Sequence, residues 1–283
     1  MRIDAHQHFW QRDRFQYPWL TKELTNLQRD FAPEDLHPLL QKNAIDMALV
    51  VQTLNSLEET YWFLQLAEKN PFIGGVIGWV DLSDPLIGEQ LAEFQSSKNL
   101  VGIRHQVHDE PDGNWLLHDD ILSGLQALAD HSLPYDLLIR PTHLPLCTEL
   151  AKTLPSLSLI VDHIAKPGIA QKQWEPWAED IAQLATLPNV SCKVSGLITE
   201  ADWSSWKPED LQPYVEHICH SFGSDRIMFG SNWPFCLLAG SYDHVIETIT
   251  VLIDQIDDSY SAGFWGNNAT RIYNLQSETK ESA

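Results

Sequence analysis

Residues 44–80 read AIDMALVVQTLNSLEETYWFLQLAEKNPFIGGVIGWV. An apolar, β-branched run at 44–52 gives way to an amphipathic stretch, and a second apolar run follows at 72–80. Ser56 with Glu59 has the spacing of a capping box, and Leu57, Tyr61 and Leu64 recur at i, i+4 and i+7 along one helical face. Strand, helix, strand within 37 residues is the unit of a parallel sheet. Both runs are apolar enough to be buried on both faces, as expected for strands of a covered parallel sheet.

The same alternation extends in both directions. Strands are expected at 2–8, 44–52, 72–80 and 100–105, then at 135–140, 157–163, 189–194 and 226–231. Ser83 and Pro85 open another helix whose Ile87, Leu91 and Phe94 repeat the one-face spacing. Eight βα units in 283 residues predict a single α/β domain, a (β/α)8 TIM barrel spanning 1–275. Only the polar end, 276–283, reads as a frayed tail.

Composition narrows the function classes. A net charge of −21, with 18 basic residues scattered singly, repels phosphate backbones and argues against nucleic-acid binding. No apolar run reaches the roughly 18 residues of a membrane helix. The first ten residues, MRIDAHQHFW, lack a signal peptide's apolar core, so a cytoplasmic protein is expected. Cys147, Cys192, Cys219 and Cys236 form no C-x-x-C pair and are read as reduced and structural. The sequence leaves homo-oligomerisation open.

Chemistry in such a barrel belongs to polar residues at the C-terminal ends of strands. Taken in order, these are His6 and His8, Gln52, Asp81, Arg104 with His105, Arg140, His163, Lys193 with Ser195, and Asn232. Two apart on a strand, His6 and His8 point to the same side and can converge on one metal ion or substrate oxygen; two capped surface histidines are the alternative. His163 suits a general acid/base, a ligand, or a ring satisfying a buried carbonyl. Arg104 and Arg140 offer planar forks for a carboxylate, hydroxyls or an oxyanion, unless neighbouring acids occupy them. Residues 106–118, rich in turn formers, form the longest βα loop and a wall or lid for the site.

Seven ordered blocks, DAHQHFW, GIRHQVHDEPD, YDLLIRPTHLP, VDHIAKP, NVSCKVSGLITEADW, FGSNWPFC and NNATRIY, resemble the amidohydrolase superfamily. The similarity is greater to its sugar-lactone hydrolases, the L-fuconolactonases and L-rhamnonolactonases. That branch also contains 2-pyrone-4,6-dicarboxylate hydrolases and, more distantly, decarboxylases. The resemblance implies opening of a small-molecule aldonolactone to its sugar acid by water attack on the ester carbonyl. It implies that His6, His8 and His163 hold one divalent ion such as zinc, or polarise the carbonyl themselves without a metal. Arg104 matches a substrate-contacting arginine. Trp10, His105, Arg140 and Trp233 would line the pocket, Asp81 and Ser195 from the strand ends join the substrate-binding set, and residues 109–115 would close from above.

One position departs from the pattern. The superfamily usually carries a metal-binding, proton-accepting aspartate after the eighth strand, and here Asn232 stands there. An amide cannot be that base, though it can orient water or substrate. Two further readings follow: a pseudoenzyme that binds sugar acids or lactones without turnover, and a metal-dependent decarboxylase.

Overall fold

The structure, a computed structural model, describes residues 1–94, 97–256 and 260–276; residues 277–283 of the expected tail lie outside the described residues. Its eight strands are β1 (Ile3–Gln7), β2 (Met47–Val51), β3 (Ile73–Gly78), β4 (Leu100–His105), β5 (Tyr135–Leu137), β6 (Leu159–Val161), β7 (Val190–Val194) and β8 (Ile227–Phe229). Each pairs in parallel with the next in chain order, the topology of a single (β/α)8 barrel.

Residues just past β8 close the remaining gap to β1. Ser231 N donates to Asp4 Oδ1 at 2.8 Å, Asn232 N to His6 O at 2.8 Å and His8 N to Trp233 O at 2.7 Å. Gly230 permits this approach, since a Cβ there would lie 2.6 Å from His6 Cβ and 3.0 Å from Ser195 Cβ.

Eleven helices are described: α1 (Pro33–Lys42), α2 (Leu57–Lys69), α3 (Ile87–Phe94), α4 (Asp119–Asp130), α5 (Leu144–Thr153), α6 (Trp177–Ala185), α7 (Leu197–Glu200), α8 (Pro208–Phe222), α9 (Tyr242–Asp254), α10 (Tyr260–Ala262) and α11 (Asn268–Ile272). Among the described residues, no helix is long and apolar enough to cross a membrane. The larger apolar cluster joins helices to strands, as where α2 and α9 contribute Phe63 and Ile249 beside Val50 and Phe229. A second cluster unites Leu49 and Val51 of β2, Ile77 of β3, Ile160 of β6 and Met228 of β8. Strands on opposite sides of a barrel meet only across its bore, so these residues form its interior packing. Tyr273 and Leu275, from the end of the chain, join that cluster.

Some local expectations need correction. The buried residues of α2 are Glu59, Thr60, Trp62, Phe63, Leu64 and Ala67, of which 60, 63, 64 and 67 have the i, i+3, i+4, i+7 spacing, whereas Tyr61 is 44% exposed. Helix α3 starts at Ile87, later than Ser83 and Pro85 suggest. Asp84 serves its first turn, accepting from Leu86 N and Gln90 Nε2. Strand β5 ends at Leu137 rather than running to Arg140, where Pro141 cannot continue the ladder. All four cysteines are buried and unpaired.

Candidate active site

The C-terminal strand ends open into a cleft of about 450 Å³. His8, Arg104, His163 and Asn232 line it, together with Arg140, Gln106, His108, Asp109, Lys166 and Glu200. Trp19, Leu24, Phe235 and Leu238 add an apolar lining. Trp203 also lines it while remaining 45% exposed, its indole N–H donated to Thr199 O.

Below the cleft lies a buried ionic network. Arg104 Nη1 binds Asp162 Oδ2 at 2.9 Å, and Lys193 Nζ sits 3.2 Å from Asp162 Oδ1 and pairs with Asp136. Tyr273 donates its hydroxyl to Asp136 Oδ1 at 2.7 Å. Two cations thus face two carboxylates in the bore, which is what permits charges to be buried there. Burial alone would raise the proton affinity of Asp162, but Lys193, His6 and Arg104 outweigh it and hold the group well below the usual carboxylate range.

Asp162 in turn orients His6, whose Nδ1 lies 3.2 Å from Asp162 Oδ1. His8 Nδ1 lies 2.8 Å from Val51 O, a group that can only accept, so the proton is assigned to Nδ1 and the lone pair to Nε2. The Nε2 atoms of His6 and His8 then face each other across 3.1 Å, with Arg104 Nη1 3.3 Å from the former. Burial, with the nearby Lys193 and Arg104 cations, pulls the His6 imidazole down to about 3 despite Asp162. Burial and neighbouring positive charge take His8 and His163 well below 6.5 as well. The three rings are neutral at physiological pH.

His163 arrives by an unusual backbone. Residues 163–166 are all left-handed, with φ of 53°, 48°, 61° and 53°, and Lys166 N closes the turn on His163 O at 2.8 Å. Each such residue costs about 1–2 kcal/mol, a strain typical of functional sites. The turn leaves Asp162 in the bore while His163 and Lys166 line the cleft, where Lys166 pairs with Glu200 of α7. His163 Nδ1 meets Ser195 Oγ at 2.8 Å, and its ring centroid is 4.3 Å from that of His6. Gly196, at φ +66°, makes room, because a Cβ there would come within 2.7 Å of His163 Nδ1.

Asp162 changes the question of a metal. Among the described residues, His6, Asp162 and His163 each offer a ligand atom within 4.8 Å of the others, so an aspartate rather than His8 completes that set. His8 adjoins it through His6. Asp162 supplies, at the end of β6, the anion absent from position 232; imidazoles with a carboxylate are ligand types that zinc takes, and an ion there would share this carboxylate with Arg104 and Lys193.

Several expected pocket residues lie elsewhere. Trp10 and Trp233 are buried behind the cleft, Trp10 packing on Trp19 and Phe235 and Trp233 on Phe9 and Phe31. Both are fully buried, and neither lines the cleft. His105 points away, stacked on Trp115 with Nε2 2.6 Å from Glu110 and Nδ1 accepting from Trp79. Of the expected wall at 106–118, Gln106, His108 and Asp109 line the cleft, and residues 110–115 do not. Asp81 caps a turn through Ser83, and Ser195 reaches the site only through His163.

The amidohydrolase family model matches residues 3–275. The chain is 36% identical over 286 residues to an L-fucono-1,5-lactonase of Burkholderia multivorans, covering 97% of this chain and 96% of the relative. It is 38% identical over 243 residues to an L-fucono-1,5-lactonase of Burkholderia ambifaria, covering 85% and 83% respectively. A crystal structure of an amidohydrolase from Burkholderia multivorans with bound zinc superposes with a TM-score of 0.93 at 34% identity, over 98% of this chain and 100% of that one.

Proposed function

This chain belongs to the amidohydrolase family, and on that footing we propose that it opens a sugar-derived lactone to the sugar acid, with L-fucono-1,5-lactone as the leading substrate. The observation that carries the reading is the pairing of His8, His163 and Arg104 on the lining of a hydrogen-bonding cleft, with the buried His6 in contact with all three. The lining suits a 6-deoxy sugar: Trp19, Leu24, Phe235 and Leu238 can take the methyl group, and Arg140, Lys166, Glu200 and His108 the hydroxyls.

Water attacks the ester carbonyl, an oxyanion develops, and the ring oxygen departs with a proton. A neutral imidazole is the group able to take the water's proton and return it to the leaving oxygen, and His163, held through Nδ1 by Ser195, is assigned that role. The Arg104 guanidinium, desolvated and fixed by Asp162 and Gln52, stabilises the oxyanion. Asn232, lining the cleft, orients substrate or water through its amide. Were a divalent ion held by His6, His163 and Asp162, it would supply Lewis acidity and acidify water, and His163 would then serve as a ligand in place of its proton-carrying role.

The test is acid release, read by a pH indicator in weak buffer, from L-fucono-, L-rhamnono-, L-galactono-, D-arabinono- and D-galactonolactones, with and without a chelator. Hydrolysis above the spontaneous rate is expected, with L-fucono- ahead of L-galactonolactone, which differs by a hydroxyl at C6. Loss of activity in chelator would place an essential ion at the imidazoles; retention would leave the polarisation to Arg104. Ligand-dependent melting shifts without turnover would instead favour the binding-only reading and make Asn232→Asp the next variant.

A further inference from the structure

Glu59 has the spacing of a capping-box acid, yet its carboxylate does something else. Ser56 Oγ accepts from Glu59 N at 3.3 Å as a cap should. The carboxylate, fully buried, turns to the loop between β2 and α2: Oε2 accepts from Thr53 N at 2.7 Å and Leu54 N at 2.9 Å, and Oε1 from Thr53 Oγ1 at 2.5 Å. Burial outweighs those donors and Arg104 and leaves this carboxyl raised to about 7. Burying a carboxylate is costly, and capping a helix requires no such burial.

What the carboxylate holds is a junction of three loops. Its three hydrogen bonds engage the N–H and hydroxyl of Thr53 and the N–H of Leu54, leaving the Thr53 carbonyl to accept from Trp19 Nε1 at 3.1 Å and Gln106 Nε2 at 3.0 Å. Trp19 follows β1, Thr53 follows β2 and Gln106 follows β4, and all three line the cleft.

We propose that Glu59 is a positioning residue of the site, fixing Thr53 so that its carbonyl sets the Trp19 and Gln106 side chains that receive the substrate. This rests on reading the cleft as the lactone site. The reacting imidazoles are anchored separately, by Val51 O, Asp162 and Ser195, so Glu59 governs binding more than turnover.

The test compares Glu59→Gln and Glu59→Leu with the unmodified full chain. KM for the lactone should rise at least about tenfold with kcat within about threefold, Gln being milder than Leu. Thr53→Val, which removes only the hydroxyl bond to the carboxylate, should raise KM less than Glu59→Leu does. A readout independent of activity is the Trp19 indole N–H resonance, assigned with Trp19→Phe; it should shift and exchange faster in the Glu59 variants. Should Glu59→Leu fail to fold, Glu59→Gln and Thr53→Val carry the comparison. Unchanged KM and an unmoved Trp19 signal in folded variants would overturn the proposal. Absence of lactone hydrolysis by the wild type would count against the functional reading instead, and the indole signal would still decide whether Glu59 positions the wall.

Discussion

Lys193 is wholly inside the bore, between Asp136 and Asp162, with no surface exposed to solvent. Removing one member of such a network strands the others, at a cost of about 3–5 kcal/mol. Lys193→Met should therefore lower the denaturation midpoint sharply, and adding Asp136→Asn should recover part of the loss. Chemical denaturation of the two variants checks this; equal stability of both would mean the charges are not coupled. His108 gives a second expectation. Burial, then Lys166, Arg140, Arg104 and His143, lower its folded value to about 3 against 6.5 unfolded. A depressed folded value stabilises above the unfolded one, and that contribution is lost as pH falls from 6.5 towards 3. By pH 5 the loss from this group is about 2 kcal/mol, so His108→Asn should flatten the acid side of the stability profile by that order.

At the level of elements, the left-handed turn at 163–166 and the glycine facing it form one device. Gly196→Ala adds a methyl 2.7 Å from His163 Nδ1 on a backbone at φ +66°, so His163 must move. kcat for the lactone should fall at least about tenfold with a smaller change in KM, because the displaced ring belongs to the reacting set. Matching kcat in a folded Gly196→Ala protein would show that the close approach is not used. Strand geometry also explains a misplaced residue. Arg104 and His105 are neighbours on β4, and successive side chains point to opposite faces. With Arg104 in the bore, His105 must face outward to Trp79, Glu110 and Trp115. The alternation is present in GIRH, where only one of two adjacent strand residues can face the bore.

Across the whole molecule, the order of strands was legible because fully apolar runs separated by amphipathic stretches leave few alternatives to a parallel barrel. Strand ends were less so: β5, β6 and β8 are each three residues long, shortened where the chain turns to present Arg140, His163 and Asn232. His6, His8, Arg104 and His163 were recognisable as polar groups where packing should be apolar. Asp162 and Asp136 were not, since an acid inside a strand signals a buried partner only once Lys193 and Arg104 are seen across the bore. Nor could Trp10 and Trp233 be separated from true lining residues, because an aromatic at a strand end packs behind a wall as readily as it forms one.

The most direct test of the account is kcat/KM for the best lactone of the panel in wild type and His163→Asn, at matched folded concentration. The proposed proton transfer predicts a loss of about 100-fold or more with the cooperative melt retained. A folded His163→Asn protein that hydrolyses the lactone at the wild-type rate would contradict it.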